Sequence, residues 1–523
     1  MNPSRDGWLS GLLALLSGAL MVPSFAPFHL YPLAVLSLLG FYRALRGRSG
    51  ADAFRLGWLF GVALFGVGVS WVRISLNEFG NMPALIANLL MLLFVAAMAL
   101  YYGLCAWLIR LLEQWLANRA APVWAGPLLV FPALWVLVEW LRGWLFTGFP
   151  WLLAGNGQLD GPLAGLAPVL GVHGLSLAVA VSAGLLWGLL HWSGQPRRRA
   201  AAGLALLWLF AAMLGLLQWT RPAPAAEQRS LQVSLIQGNV DQAVKWDADG
   251  LMPTLDIYLT LTRAHLDSDL IVWPETAIPE FFHRVEEPLL TSLGETARAA
   301  GAEVVIGLPV MIPDGRYYNA LVSLGSAEDQ YFKRHLVPFG EFLPFKRQLR
   351  PLIDWFEVPM SDFSRGRAER PLLRVGDWPA GASICYEAVF PEEVREALPE
   401  AAFLINVSND AWFGDSLAPH QHLQFARLRA LETGRWLVRA TNTGISAIID
   451  PHGRVQARLP LFERAALTGT LEARAGATPF VRFGSRPTLA GAGLMLLAAL
   501  LLGARGRSKH AGGEPGRPAS PRF

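Results

Sequence analysis

Apolar residues run almost unbroken through the first 220 positions, interrupted by short turns. Seven stretches stand out, at about 8–25, 30–45, 55–72, 83–109, 123–141, 165–191 and 201–219, with another at about 488–504. A helix needs roughly 17–25 apolar residues to cross a bilayer, so these predict about eight transmembrane helices, 30–45 being short and 83–109 long. No small-x-small cleavage site follows the apolar stretch after Arg5, so it reads as an uncleaved first span and not a signal peptide. Between residues 225 and 478 the pattern changes: charge rises, Pro and Gly punctuate, and short β-rich runs alternate with helical ones. Strands are expected at Leu231–Gln237, Leu270–Trp273, Glu303–Val310, Ala320–Leu324, Tyr331–Leu336, Gly381–Cys385, Phe403–Val407, Trp436–Ala440 and Ser446–Ile449, with helices at Glu286–Ala300 and His420–Thr433. Successive strands without intervening helices predict a mixed sheet packed against helices, not a doubly wound parallel sheet. The expected division is therefore 1–224, a seven-helix membrane bundle; 225–478, an α/β domain; and 479–523, a last span with a basic tail.

Composition supports the membrane reading: 53% of residues are hydrophobic, only 16% are charged, and 20 are Trp. The net charge of +4 does not point to nucleic acid, because the basic residues sit between apolar segments. Arg43, Arg46, Arg48 and Arg55 follow the second stretch, Arg110 and Arg119 the fourth, and Arg197, Arg198 and Arg199 the sixth. The tail carries Arg505, Arg507, Lys509, Arg517 and Arg522, while the loops Val22–Phe28 and Ser75–Met82 carry almost none. Basic loops stay in the cytoplasm. Both termini are therefore expected there, and seven crossings put residues 225–478 on the far side, the periplasm of a bacterial cell. Arg73, Asn77, Glu78, Glu139 and Arg142 flank expected span ends, where snorkelling to the interface is the ordinary explanation and contact with headgroups or the soluble domain the functional one. The two cysteines, Cys105 and Cys385, make no disulfide framework and no zinc spacing. Cys105 reads as a span residue.

Three islands in the α/β block combine strand ends with ionisable groups. In Val272-Trp-Pro-Glu-Thr-Ala-Ile-Pro279, Glu275 leaves an apolar strand after a proline, where partial desolvation suits a general base; a helix N-terminal carboxylate is the plain alternative. In Tyr331-Phe-Lys-Arg-His-Leu-Val-Pro-Phe-Gly-Glu-Phe-Leu-Pro344, Lys333 is flanked by aromatics and Glu341 follows a Pro/Gly loop. Such a lysine stabilises a thiolate or oxyanion, or is merely a surface lysine; His335 reads as a packing residue. In Gly381-Ala-Ser-Ile-Cys-Tyr-Glu387, a short apolar run delivers Cys385 to a strand end. A lone cysteine is more often a small buried hydrophobe than a nucleophile. A glutamate, a lysine and a cysteine at three strand ends together form the base, electrostatic and nucleophile set of acyl transfer.

Trp-Pro-Glu, Lys-x-His-Leu-Val-Pro-Phe-Gly-Glu and Cys-Tyr-Glu resemble the Glu-Lys-Cys signatures of the nitrilase (carbon–nitrogen hydrolase) superfamily. With seven spans before and one after, the whole chain is similar to its membrane-embedded branch, the apolipoprotein N-acyltransferase family. Gln237-Gly-Asn239, Asn406-x-Ser-Asn-Asp-Ala-Trp-Phe413 and Arg439-Ala-Thr-Asn-Thr-Gly444 are further matching blocks. The resemblance implies an α-β-β-α sandwich on a membrane bundle, with Glu275 as general base, Lys333 as oxyanion stabiliser and Cys385 as nucleophile. It implies Glu341 and Glu387 as supporting carboxylates, and Tyr386 and Trp246 as positioning or substrate-binding residues. The implied donor is a phospholipid, typically phosphatidylethanolamine, and the implied acceptor the amine of a diacylated apolipoprotein. Membrane lipids surround the protein, nucleic acid is no partner, and no metal or nucleotide cofactor is implied. Soluble nitrilases hydrolyse their thioesters, so a transferase must exclude water. The apolar loop Pro351–Phe363, with Trp355 and Phe356, is the expected lid, core packing being the other reading. A membrane-tethered amidase and a non-catalytic transporter or scaffold remain open as alternatives at this point.

Overall fold

A computed structural model describes residues 3–220, 230–245, 249–342, 362–367 and 369–511 of the chain. Among the described residues, six helices are long and apolar enough to cross a membrane, at Gly7–Ser24, Gly50–Gly68, Ala84–Ala117, Pro162–His191, Gly194–Gln218 and Arg486–Arg505. Leucines such as Leu93 (66% exposed) and Leu206 (67% exposed) form an outward apolar surface suited to lipid. Two expected spans differ. The 30–45 stretch is the 14-residue helix Pro32–Leu45, and the 123–141 stretch is a π turn, Gly126–Val130, running into the helix Phe131–Arg142. Pro127 and Pro132 lack amide hydrogens, so regular i→i−4 bonding cannot run straight through this stretch.

Between Arg142 and Ala167 the chain is irregular and largely buried, with Trp151, Leu152 and Leu153 each 1% exposed. Irregular backbone needs hydrogen-bond partners once it is away from water. Two residues expected to snorkel supply them. The Arg142 guanidinium donates to the Phe149 and Trp151 carbonyls, both at 2.6 Å, and the Glu139 carboxylate accepts from the Ala154 N–H at 2.8 Å. Both side chains are buried, so snorkelling is replaced by bracing of this loop. Above it, the Trp151 indole donates to Gln421 at 2.6 Å and the Tyr386 hydroxyl to the Gly148 carbonyl at 3.0 Å. Near Arg73, Asn77 and Glu78, the Ser75 hydroxyl reaches the Trp412 carbonyl at 2.7 Å. The helical and α/β parts are thus stitched together by polar contacts.

The α/β part contains two six-stranded mixed sheets. One has the order β12-β1-β2-β3-β4-β5: Ala465–Glu472, Ser230–Gln237, Leu270–Val272, Glu303–Met311, Tyr317–Leu324 and Asp329–Phe332. The other is β11-β10-β9-β8-β7-β6: Val455–Arg458, Ala447–Ile449, Leu437–Thr441, Phe403–Ser408, Trp378–Ile384 and Leu372–Val375. The strands β1, β2, β3 and again β7, β8, β9 are parallel, with antiparallel neighbours outside them. Period-two alternation sorts their side chains. Leu270 and Val272 face the inter-sheet core with Ala382, Ile384, Ile405 and Val407, while Ile271 faces Tyr258 and Leu293 on outer helices. Val394, Leu423 and Ala426 cover the other sheet. This is the α-β-β-α sandwich that the resemblance implies, whereas the strand pattern alone suggested a single mixed sheet. Both faces of the inner strands are covered, so they read as continuous apolar runs. The edge strands β6, β11 and β12 and the helix Leu251–Arg263 were not expected; β11 and β12 are half exposed, and their interspersed polar residues hide them.

Candidate active site

Each chemical residue stands where a strand stops. After β2, Trp273 is fixed by its N–H to the Val305 carbonyl (2.8 Å) and by its indole to Thr262 (2.8 Å). Pro274 and Glu275 follow, and Thr276 has φ +47°. On β3, a Cβ added at Gly307 would lie 2.3 Å from the Pro274 carbonyl oxygen, so only glycine lets this turn pack so closely. The expected strand Tyr331–Leu336 stops early, at Phe332. Lys333 still bonds to the neighbouring strand through Asn319, but the Arg334 and His335 amides donate to the Glu387 carboxylate at 2.6 and 3.0 Å. That exchange ends the ladder and turns the chain into the loop carrying Glu341. Similarly β7 ends at Ile384, because Cys385 has φ +53°, a strained backbone for a non-glycine residue. The other Glu387 oxygen receives the Ile384 amide at 2.7 Å, so one buried carboxylate ties the lysine loop to the cysteine turn.

The folded chain brings the three islands together. Lys333 Nζ lies 2.8 Å from Glu341 Oε1 and 3.2 Å from Glu275 Oε1, and Asn319 Nδ2 donates to the same two oxygens at 3.0 and 2.7 Å. The second Glu275 oxygen accepts the Asn409 N–H at 2.9 Å, and the second Glu341 oxygen the Val337 N–H at 2.8 Å. Lys333 is 1% exposed, Glu275 7% and Cys385 9%. Burial lowers the lysine's proton affinity, but the Glu275 and Glu341 carboxylates more than reverse this, so it stays an ammonium. Burial drives the Cys385 thiol well above its usual range, Glu275's charge adds to that, and Lys333 offsets part. At rest the sulfur is therefore a thiol, and nucleophilicity has to come from proton transfer and not from a standing thiolate.

A second buried cluster holds the cysteine turn from the other side. Asp410 accepts from Arg439 (2.7 Å), Ser408 (2.7 Å) and His422 Nδ1 (2.9 Å), while His422 Nε2 donates to the Cys385 carbonyl at 3.0 Å. Burial pushes the Asp410 carboxyl up, but Arg439 and His422 hold it well below the usual carboxylate range. Sequence reasoning did not single out Asn319, Asn409, Asp410 or His422; the last three were signalled only by a matching block and a helical pattern. His335 is a packing residue as expected: it pairs with Glu393 at 2.7 Å and stacks on Phe390 with ring centroids 3.7 Å apart. Tyr386 follows Cys385 and reaches down to Gly148. Trp246, Trp355 and Phe356 lie outside the described residues.

Residues 17–185 match the model of the apolipoprotein N-acyltransferase N-terminal domain, and residues 232–480 that of the carbon–nitrogen hydrolase domain. A Methylococcus capsulatus protein named apolipoprotein N-acyltransferase is 45% identical over 511 residues, covering 98% of this chain and 99% of that one. One of the same name from Azotobacter vinelandii is 44% identical over 520 residues, covering 98% of each. The chain belongs to the apolipoprotein N-acyltransferase family. Membership makes it an enzyme of the acyltransferase type in lipoprotein maturation, and sets aside the amidase and the non-catalytic scaffold. Among solved structures, a carbon–nitrogen hydrolase from Helicobacter pylori G27 is similar at 16% identity and TM-score 0.35, covering 46% of this chain and 88% of that one.

Proposed function

We propose that the enzyme moves a fatty acyl chain from a phospholipid of the phosphatidylethanolamine type to the N-terminal amine of a diacylglyceryl-cysteine apolipoprotein, through a thioester on Cys385. The observation that carries this reading is the buried Glu275–Lys333–Glu341 cluster, electrostatically coupled to Cys385 at its strained strand end. In the first half, Glu275 takes the thiol proton as sulfur attacks the ester carbonyl carbon. The oxyanion develops against the Lys333 ammonium, the ester C–O bond breaks, and Glu275 returns the proton to the departing alkoxide, releasing a lysophospholipid. In the second half, the acceptor amine attacks the thioester carbonyl and gives its proton to Glu275. The C–S bond breaks, sulfur regains the proton, and an amide is left. Splitting the transfer in two lets the same base and the same cation serve both steps.

Glu341 and Asn319 orient Lys333, Glu387 shapes the turn carrying Cys385, and Tyr386 links that turn to the loop beneath. Trp246 takes part in acceptor positioning, and Trp355 and Phe356 belong to a lid that excludes water. The basic loops favour a bacterial inner-membrane protein with cytoplasmic termini, seven helices in residues 1–224, a periplasmic catalytic domain at 225–478 and a last span in 479–523. The test is incubation of the purified protein with labelled phosphatidylethanolamine and a diacylated lipopeptide, beside Cys385→Ala. N-acylation present in the parent and absent in the variant supports the reading. Hydrolysis of small amides without lipopeptide acylation overturns it.

A further inference from the structure

One buried charge near the site has no assigned task. Lys245 closes the short helix Gln242–Lys245, which follows the exit of β1. It is 1% exposed, and its Nζ has no hydrogen-bond partner among the described residues. The turn carrying it is bolted to the catalytic centre. Val240 donates its N–H to the Asn442 side chain at 2.9 Å, and Asn442 donates on to Asn409 at 3.2 Å. Gln242, one helical turn before Lys245, accepts from the Asn409 side chain at 2.8 Å, and the Asn409 N–H is the donor to Glu275 Oε2. A bare ammonium out of water costs several kcal/mol unless an anion compensates it, and a Met or Leu would fill the space more cheaply. The charge acting on Lys245 is that of Glu275.

We propose that Lys245 is a positioning residue of the acyl-transfer site that acts through Glu275, its buried ammonium supplying a second positive charge beside that carboxylate on a turn that Gln242 and Asn409 tie to it. The inference rests on Glu275 being the general base. Charge counting supports it: among the described residues Glu275 and Glu341 share one cation in contact, Lys333, and Lys245 supplies the second. When Glu275 takes the thiol proton and the substrate oxygen becomes an anion, the balance among these groups is kept: Glu341 and the oxyanion against Lys333 and Lys245. In the chain Asp241 precedes Lys245 and Asp247 and Asp249 follow it; the carboxylate whose charge acts on it is Glu275, which shares Lys333 with Glu341. Burial lowers the lysine's proton affinity and Glu275 restores part of it, leaving a value of about 8. Its charge is present below that pH and lost above it.

The experiment compares Lys245→Met, Lys245→Gln and Lys245→Arg with the parent in vesicles of phosphatidylethanolamine, following lipopeptide N-acylation from pH 5.5 to 9.5 and confirming folding by thermal melting. Both neutral variants should lower the turnover rate five- to tenfold below about pH 8, where Lys245 carries its charge in the parent. Their rates should converge with the parent near pH 9, the KM for the lipid should be unchanged, and Lys245→Arg should follow the parent on the acid side. A superimposable profile, a loss equal at all pH values, or a change in lipid KM alone overturns the proposal, the last marking a headgroup-binding lysine instead. Failure of both neutral variants to fold overturns it too, since the charge would then serve the fold. Glu275→Gln separates the two levels: if it stays active, the reading of the base fails; if it is dead while the Lys245 variants match the parent, only this inference fails.

Discussion

Two buried ionic clusters flank Cys385, and they are built for opposite ends. On one side Lys333 sits between Glu275 and Glu341, among the described residues more carboxylate than cation in direct contact, and Glu275 is the group proposed to change charge during acyl transfer. On the other side Asp410 is held by Arg439, His422 and Ser408, and His422 holds the backbone of the cysteine itself. Both are dry, so burial alone does not mark a catalytic group. Every carboxylate oxygen in both has a partner, so what separates them is charge balance: Arg439 and His422 hold Asp410 well below the usual carboxylate range, whereas among the described residues Glu275 and Glu341 share a single contacting cation, Lys333.

The sharpest break of that comparison is at the first cluster. Lys333→Met should lower acyl transfer by about three orders of magnitude, the scale seen when an oxyanion partner or nucleophile is removed, as should Cys385→Ala. A single-turnover assay with labelled phospholipid should then show no thioester in either. Only Lys333→Met should also lower the melting temperature, because it strands two buried carboxylates. At the second cluster the order of effects reverses. Arg439→Met leaves Asp410 buried without its main cation and should cost about 3–5 kcal/mol in stability, read by thermal or chemical denaturation. Adding Asp410→Asn to that variant should restore a large part of the loss, a non-additivity that a double-mutant cycle measures. If the pair were catalytic, the double variant would regain stability but no activity.

A smaller effect is expected at Asn319, which touches both carboxylates without being charged. Asn319→Leu should lower the turnover rate about ten- to a hundredfold while leaving the lipid KM near the parent value, since it loosens the base and the lysine together. The smallest is a latch between the two halves of the molecule. Asp160 bonds with Arg427 and with His29, the latter at 2.7 Å. Burial raises its proton affinity, but these two partners outweigh that and bring it down to about 2. A lowered folded-state value stabilises the protein above the ordinary carboxylate range near pH 3.9 and is lost as pH falls towards 2. Asp160→Asn should therefore cost at most about 1 kcal/mol at pH 7, because the pair is partly exposed, and nothing below pH 2. Equal melting shifts at pH 7 and pH 2.5 would sink the latch.

Much of the molecule follows from local pattern alone. The long apolar stretches, the change of character after residue 225, and the inner strands are legible because hydrophobic length and alternation depend only on neighbours in the chain. The three candidate islands were legible too, since Glu275, Lys333 and Cys385 each stand beside an apolar run and a Pro or Gly. The edge strands β6, β11 and β12 were not; the value of β12 lies in a partner far along the sequence, β1, and its own residues alternate too weakly to announce it. Nor were the roles of Glu139 and Arg142, which lost their expected place at the interface to an irregular loop whose backbone needed them. The local sequence thus determined which residues are candidates for the chemistry and which stretches are apolar enough to face lipid. Only tertiary structure decided that Glu275, Lys333 and Cys385 come into one site, that Asn319 and Asn409 bond to the Glu275 carboxylate, and that Lys245 has no hydrogen-bond partner among the described residues. Proximity between distant strand ends is set by how two sheets pack, and that is a property of the whole fold, not of any one stretch.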